Sequence, residues 1–125
     1  MINIDNYINE FYRIISIDNL KEPWEIISDL ENIIADQNNI AIHKTATIEK
    51  GVIFKGTVII SENCFIGANA YFRGPIFLGK SVKVSPSTEI KQSIILNNSA
   101  VAHFNYIGNS IVGQNTNFEA GSICA

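Results

Sequence analysis

The stretch that decides the fold runs from Ile42 to Ile90 and reads IHKTATIEKGVIFKGTVIISENCFIGANAYFRGPIFLGKSVKVSPSTEI. An apolar residue returns at every sixth position: Ile42, Ile48, Phe54, Ile60, Ile66, Phe72, Leu78, Val84 and Ile90. A six-residue period predicts short strands joined by corners, and three such units make one triangular coil of about 18 residues. The recurring side chain points into the coil, and its two neighbours point outward because side chains alternate along a strand.

The period is interrupted after Ile90. Ile107 follows Ile90 by 17 residues, one fewer than a full coil, and Val112 follows Ile107 by five. Phe118 and Cys124 then resume the step of six. The shortened corner has two interpretations that the sequence leaves open, an irregularity beside a functional site or a tolerated deletion.

The residues before the repeats have the spacing of helices. Apolar residues recur at helical intervals from Ile4 to Ile15, and Pro23 suits the first position of a second helix. The apolar stripe of that second helix consists of Trp24, Ile27, Leu30 and Ile34. We therefore predict an N-terminal helical hairpin over residues 1–39. Residues 40–125 are predicted to form a β-helix that is apparently truncated at its C-terminal end.

The composition is that of an ordered soluble domain, with 46% hydrophobic and 17% charged residues. A net charge of −3 argues against a general nucleic-acid binder. Apolar runs fall short of the roughly 18 residues that a membrane span needs, and the first residues lack the basic segment of a signal peptide. We therefore expect a cytoplasmic protein with neither nucleic acid nor membrane as its partner. The spacing of Cys and His residues indicates no metal site.

Two cations are predicted to stack on the outside of one face. Arg73 and Lys91 are separated by 18 residues, one coil, and each directly follows an inward-pointing repeat residue. Stacked coils bring their backbones to about 4.8 Å, so a phosphate between the two cations would relieve their repulsion. The same spacing also fits two solvated side chains. Once the shortened corner is allowed for, Glu89 and Tyr106 stack on this face as well.

A histidine and an amide are predicted to lie round the corner from this group. Asn117 is expected over Ala100, on the face that also carries His103. An imidazole near a carboxylate, two cations, a tyrosine and an amide suits proton abstraction beside a bound phosphate. A lone surface histidine is more often ordinary, and we interpret His43 in that way.

Three segments carry a family resemblance: Glu89-Ile90-Lys91, HFNYIG over His103–Gly108 and NFEAGS over Asn117–Ser122. They resemble the acetyltransferase domain of bifunctional N-acetylglucosamine-1-phosphate uridyltransferases, and also archaeal sugar-1-phosphate nucleotidyltransferases. Both belong to the hexapeptide-repeat acyltransferase superfamily. The resemblance covers roughly Tyr71 to the end of the chain. It implies an all-β solenoid of the left-handed parallel β-helix class.

The resemblance also implies a role for each matching residue. His103 would be the general base that deprotonates the amine of glucosamine 1-phosphate. The sugar phosphate would be held by Arg73, Lys91, Glu89, Tyr106 and Asn117. The backbone at Ala120 would meet acetyl-CoA, the co-substrate, and no metal would take part. The family is also homotrimeric, which would cover the outward apolar columns, such as Ile53 over Tyr71, that the helical hairpin leaves exposed.

Several departures leave an alternative open. Glu119 stands where the family motif has glycine, and Ser122 stands where it has threonine. The chain stops at Ala125, before the family's later coils, so we expect little acetyl transfer from these 125 residues alone. The sequence lacks the Gly-rich L-x-x-G-x-G-T motif of nucleotidyltransferases, so we do not expect these residues to transfer a uridylyl group. The alternative is a non-catalytic hexapeptide module for sugar-phosphate binding or trimerisation. A β-helical carbonic anhydrase needs three zinc-binding histidines, and this chain has two.

Overall fold

The computed structural model describes residues 1–9, 11–17, 21–35 and 40–125. A 3-10 helix spans Ile4–Asn6, followed by α1 (Phe11–Ile14), α2 (Pro23–Ser28) and α3 (Leu30–Ile33). The strands of the described residues are β1 (Ile40–Ile42), β2 (Thr47–Ile48), β3 (Ile53–Lys55), β4 (Val58–Ile60), β5 (Phe65–Ile66), β6 (Tyr71–Leu78), β7 (Lys83–Val84), β8 (Glu89–Ile95), β9 (Ala100–Val101), β10 (Tyr106–Gly108), β11 (Ile111–Val112), β12 (Asn117–Phe118) and β13 (Ile123–Cys124).

The strands stack in parallel as the three faces of a solenoid. Face A contains β1, β4, β11 and the C-terminal ends of β6 and β8. Face B contains β2, β5, β7, β9 and β12. Face C contains β3, β10, β13 and the N-terminal ends of β6 and β8. This arrangement confirms the expected fold class, a left-handed parallel β-helix. The six-residue period predicted the solenoid, and the family resemblance implied its hand.

The repeat residues form the core of the solenoid. Several have no exposed surface: Ile66, Phe72, Leu78, Val84, Ile90, Ile95, Val101 and Ile107. Each contributes roughly 1.5–3 kcal/mol of burial free energy. Cys64 is a free thiol in this interior, and its Sγ donates to the carbonyl of Gly79 at 3.0 Å. Burial raises the pKa of the Cys64 thiol, which keeps it protonated.

The coil shortens by one residue at the corner between face C and face A. Arg73 pairs with Lys91 and Ile76 pairs with Ser93, so Gly74 and Pro75 together face the single residue Gln92. The side-chain Nε2 of Gln92 donates to the carbonyl of Ile27 at 3.0 Å. The shortened corner therefore follows the strand that carries Arg73 and Lys91 and contacts the helices.

The helices cover face A. Phe11, Ile26 and Leu30 are fully buried in a second core against Ile94 and Leu96 of the solenoid. Ile59, Phe77 and Ile111, which point outward from face A, pack against the same core. One of the expected apolar columns is thus covered within the chain, because the short helices carry the apolar surface that matches it.

The helical segments are shorter than the two helices predicted from the periodicity. Pro23 begins α2 as expected, where Glu22 and Glu25 form a reciprocal capping box. Trp24 does not join the buried stripe and is 60% exposed, whereas Ile26 lies on the inner side of the helix. The boundary expected at residue 39 falls among residues 36–39, outside the described residues. No helix in the described ranges is long and apolar enough to cross a membrane.

The substitution Phe72→Ala tests the inward role of the repeat residues. Phe72 is fully buried and its ring centroid lies 5.2 Å from that of Phe54. We expect the free energy of unfolding to fall by about 3–5 kcal/mol, because truncation leaves a cavity in the coil. Phe104→Ala is the matched control at a 70% exposed position and should change stability by less than about 0.5 kcal/mol. Equal effects in denaturant melts would contradict the assignment.

Candidate functional site

His103 lies at the corner between face B and face C, in the turn that joins β9 to β10. The residue after it, Phe104, has a φ of 57°, in the left-handed region. The equivalent corner residues of the other coils also have positive φ: Gly51, Asn69, Ser87 and Gly121. His103 is exposed, and its backbone carbonyl accepts from the N–H of Gly121 at 2.9 Å. The tight corner thus holds the imidazole out from the solenoid.

Asn105 fastens this corner from inside. The residue is 3% exposed, and its Nδ2 donates to the carbonyls of Ala102 and Glu119, both at 2.9 Å. Since Glu119 belongs to the next coil, these bonds tie the His103 turn to the coil beside it. The Oδ1 atom of Asn105 has no hydrogen-bond partner in the part of the chain that the structure describes.

Face C carries the predicted cationic and aromatic residues in the expected register. Arg73 pairs with Lys91, and Glu89 pairs with Tyr106. The sequence did not predict that Arg73 Nη1 would donate to Glu89 Oε2 at 3.1 Å. That hydrogen bond is the main reason why the pKa of Arg73 is raised, and the hydroxyls of Tyr71 and Tyr106 contribute less. Both partners are more than a third exposed, so solvent screens the ion pair.

The cationic row extends one coil further than predicted. Lys55 pairs with Arg73 in the backbone register, and its Nζ lies 5.9 Å from the centroid of the Tyr71 ring. Its separation of 18 residues from Arg73 is the signal that could have identified it. Lys91 has no acidic partner among the described residues and is partly exposed. We name Lys55, Arg73 and Lys91 the cation row.

Asn117 lies over Ala100 on face B, as the counting of repeats predicted. Its side-chain Nδ2 donates to Glu119 Oε1 at 2.9 Å. The side-chain Oδ1 of Asn117 makes no hydrogen bond within the described residues, so it can accept one from a ligand. Glu119 occupies the same position in its coil as Glu49, whose Oε1 accepts from the backbone N–H of Ala68 at 3.0 Å.

Ala120 occupies the corner position of His103 one coil later. The hydrogen bond from Gly121 to the His103 carbonyl fixes this register. The Ala120 N–H donates no hydrogen bond within the described residues, and Ala120 is exposed. His43, in contrast, is engaged locally: its Nδ1 lies 2.9 Å from Thr45 Oγ1 and accepts from the Thr45 N–H at 3.2 Å.

The predicted residues thus form two rows that meet at one corner. Arg73, Lys91, Glu89 and Tyr106 lie on face C. Asn117 lies on face B, and His103 and Ala120 occupy the corner between the two faces. The arrangement is an open surface, and it offers cations, a phenol, an imidazole and a free backbone N–H to a ligand. Within the described residues no three His, Cys, Asp or Glu side chains cluster as a metal site requires.

The fold defines a class, the left-handed parallel β-helix domains. The family model for the GMPPB C-terminal domain matches residues 56–124, more than half of the chain. The chain belongs to this family.

The chain is also similar to curated proteins that are named as bifunctional. The chain is 30% identical over 126 residues to a "Bifunctional sugar-1-phosphate nucleotidylyltransferase/acetyltransferase" of Sulfurisphaera tokodaii, with 83% of the chain and 30% of that protein covered. It is 35% identical over 139 residues to a "Bifunctional protein GlmU" of Methanococcus vannielii, covering 99% of the chain and 31% of that protein. A "Bifunctional protein GlmU" of Clostridium kluyveri is 39% identical over 82 residues, 66% of the chain and 18% of that protein. The chain spans less than a third of these relatives' length.

Proposed function

We propose that this chain is an acetyltransferase-type domain acting on an amino-sugar 1-phosphate, glucosamine 1-phosphate, with acetyl-CoA as donor. The observation that carries the proposal is the register of face C, which stacks Arg73 on Lys91 and Glu89 on Tyr106 one corner away from His103. Guanidinium and ammonium groups bind phosphate oxygens through charge-assisted hydrogen bonds. The similarity to a relative named as a bifunctional sugar-1-phosphate nucleotidylyltransferase/acetyltransferase supports the choice of reaction.

In the proposed reaction the amine nitrogen attacks the thioester carbonyl carbon of acetyl-CoA. The new C–N bond forms, the C–S bond breaks, and the CoA thiolate departs. The proton released from the amine passes to the neutral imidazole of His103, acting as general base. Asn117 and Glu89 offer oxygen acceptors to the sugar hydroxyls. Holding both substrates at one corner supplies much of the rate enhancement.

The free N–H of Ala120 is suited to the oxyanion of the tetrahedral intermediate. An equivalent corner N–H, that of Ala68, already donates to a carboxylate oxygen of Glu49. This internal example supports the view that the corner amide can stabilise a negatively charged oxygen. We assign the Ala120 N–H to acetyl-CoA on that basis.

The second candidate function is a non-catalytic hexapeptide module that binds a sugar phosphate or supports trimerisation. Glu119 favours it, because this carboxylate is exposed directly before Ala120. Acetyl-CoA carries several phosphates, so a negative charge there weakens its binding. The two functions differ in outcome: the module binds glucosamine 1-phosphate without releasing free thiol from acetyl-CoA.

Removal of either cation should weaken phosphate binding. In calorimetry with glucosamine 1-phosphate, we expect Arg73→Ala and Lys91→Ala each to lower affinity by roughly 10- to 100-fold, the value of a hydrogen bond to a charged group. Lys80→Ala is the matched control, since Lys80 is an exposed cation at the corner between faces A and B, where its Nζ lies 3.4 Å from Glu62 Oε2. Equal affinity of the protein for glucosamine and for its 1-phosphate would contradict the phosphate assignment.

Loss of the imidazole should remove turnover and leave binding intact. In the full-length gene product, we expect His103→Ala to lower acetyl transfer by roughly 10²–10⁴-fold, measured as thiol released from acetyl-CoA. Affinity for glucosamine 1-phosphate should change little, because the cation row holds the phosphate. His43→Ala serves as the control histidine. Full turnover by His103→Ala would exclude His103 as the base.

We further propose that the protein is a cytoplasmic homotrimer. Ile53 and Ile123 on face C remain 52% and 77% exposed after the helices have covered face A. Light scattering should give three times the 13.8 kDa chain mass. Ile53→Asp should shift this mass towards that of the monomer, while Tyr7→Asp, at a 77% exposed position of the N-terminal segment, should not. A monodisperse monomer at micromolar concentration would contradict the proposal.

A further inference from the structure

Gly108 interrupts a column of cationic side chains. It pairs in register with Lys91, which pairs with Arg73, which pairs with Lys55. Each of the three preceding coils carries a cation at this position, whereas Gly108 places no side chain there. The vacant position lies on face C, two residues after Tyr106, and the two residues point to the same side of the strand.

Tyr106 fills the space that Gly108 leaves. A Cβ atom at Gly108 would lie 2.5 Å from Tyr106 Oη and 2.8 Å from both Cε2 and Cζ. The three nearest atoms all belong to that one side chain. The Tyr106 ring therefore leans along β10 and lies over Gly108, with its hydroxyl in the column of Lys91.

Tyr71 shows what happens without such a gap. It occupies the same position on face C two coils earlier, in register through Glu89. Its neighbour two residues on is Arg73, and the ring is covered by Lys55, whose Nζ lies 5.9 Å from the centroid. At Tyr71 the i+2 position thus carries the Arg73 side chain, whereas at Tyr106 it carries none.

We infer that Gly108 is a positioning residue that places the Tyr106 hydroxyl in the cation row, where it donates to a phosphate oxygen of the bound sugar phosphate. The inference rests on the proposed function, because it adds a donor to that phosphate site. The phenolic O–H then continues the row that Lys55, Arg73 and Lys91 begin. Gly108 has no positive φ, so alanine meets the Tyr106 ring without backbone strain.

A double-mutant cycle measures this coupling. In calorimetry with glucosamine 1-phosphate, Gly108→Ala is expected to lower affinity by roughly 10- to 100-fold, the value of one hydrogen bond to a charged group. In the Tyr106→Ala background the same substitution should have no further effect. Gly113→Ala is the matched control, because its Cβ would meet its nearest atom, Ile8 Cγ1, at an ordinary 3.6 Å. An undiminished effect of Gly108→Ala in the Tyr106→Ala background would overturn the inference.

A second readout is independent of the ligand. In protein with ¹³C-labelled tyrosine, Gly108→Ala should shift the ring resonances of Tyr106, assigned through Tyr106→Phe, more than those of Tyr71. Unchanged Tyr106 resonances would overturn the inference, and shifted resonances with unchanged affinity would overturn the phosphate contact. Failure of the unmodified protein to bind glucosamine 1-phosphate would refute the proposed function, while these resonances would still test the position of Tyr106.

The cycle also decides the outcome if Gly108→Ala folds poorly. A clash with Tyr106 predicts that Tyr106→Ala restores the melting temperature lost in Gly108→Ala, because the three atoms nearest to the new methyl group are then gone. A loss of stability that Tyr106→Ala does not restore would assign Gly108 to packing alone and overturn the positioning role.

Discussion

Parallel register between successive coils is the constraint on which the rest of the structure depends. Each strand bonds to the strand of the neighbouring coil, on both sides in the middle coils, so a residue's face is fixed by its position within the coil. That register brings Arg73 beside Lys91 and Glu89 beside Tyr106. It also places Ala120 at the corner of His103. The positions of the candidate site residues therefore follow from their spacing in the sequence. The buried column of repeat residues maintains the register on which that spacing depends.

The spacing of apolar residues was sufficient to predict the solenoid and the register of the site, because backbone pairing follows directly from the period. Side-chain pairing does not follow from it. The hydrogen bonds of Arg73 to Glu89 and of Asn117 to Glu119 depend on side-chain rotamers, which the backbone register does not determine. The separation of 18 residues between Lys55 and Arg73 also predicts that Lys55 lies on this face, although the sequence analysis did not include it. The helical segments are shorter than the periodicity predicted, and their buried residues pack against face A.

The His103 corner of the candidate site lies opposite the helices in the triangular cross-section, whereas the cation row ends beside the shortened corner that contacts them. Face A is covered by the helical segments, and the corner between faces B and C is opposite to it. Gln92 and Thr57 tie the solenoid to the helices through bonds to the Ile27 carbonyl and to Glu31 Oε1. The apolar cover thus stabilises the domain without occupying the surface that carries His103.

The shortened corner shows how this architecture tolerates changes in length. Gln92 replaces two residues of the preceding coil, yet Tyr106 and Asn117 keep their faces because the missing residue falls in a corner and the strands on either side stay in register. In such a fold, the effect of an insertion or deletion therefore depends on its size and on its position within the coil. Gain or loss of a whole coil leaves each residue on the same face. Deletion of a single residue at a corner also leaves the residues of the later strands on their faces. The same deletion within a strand would turn each outward side chain of that strand inward.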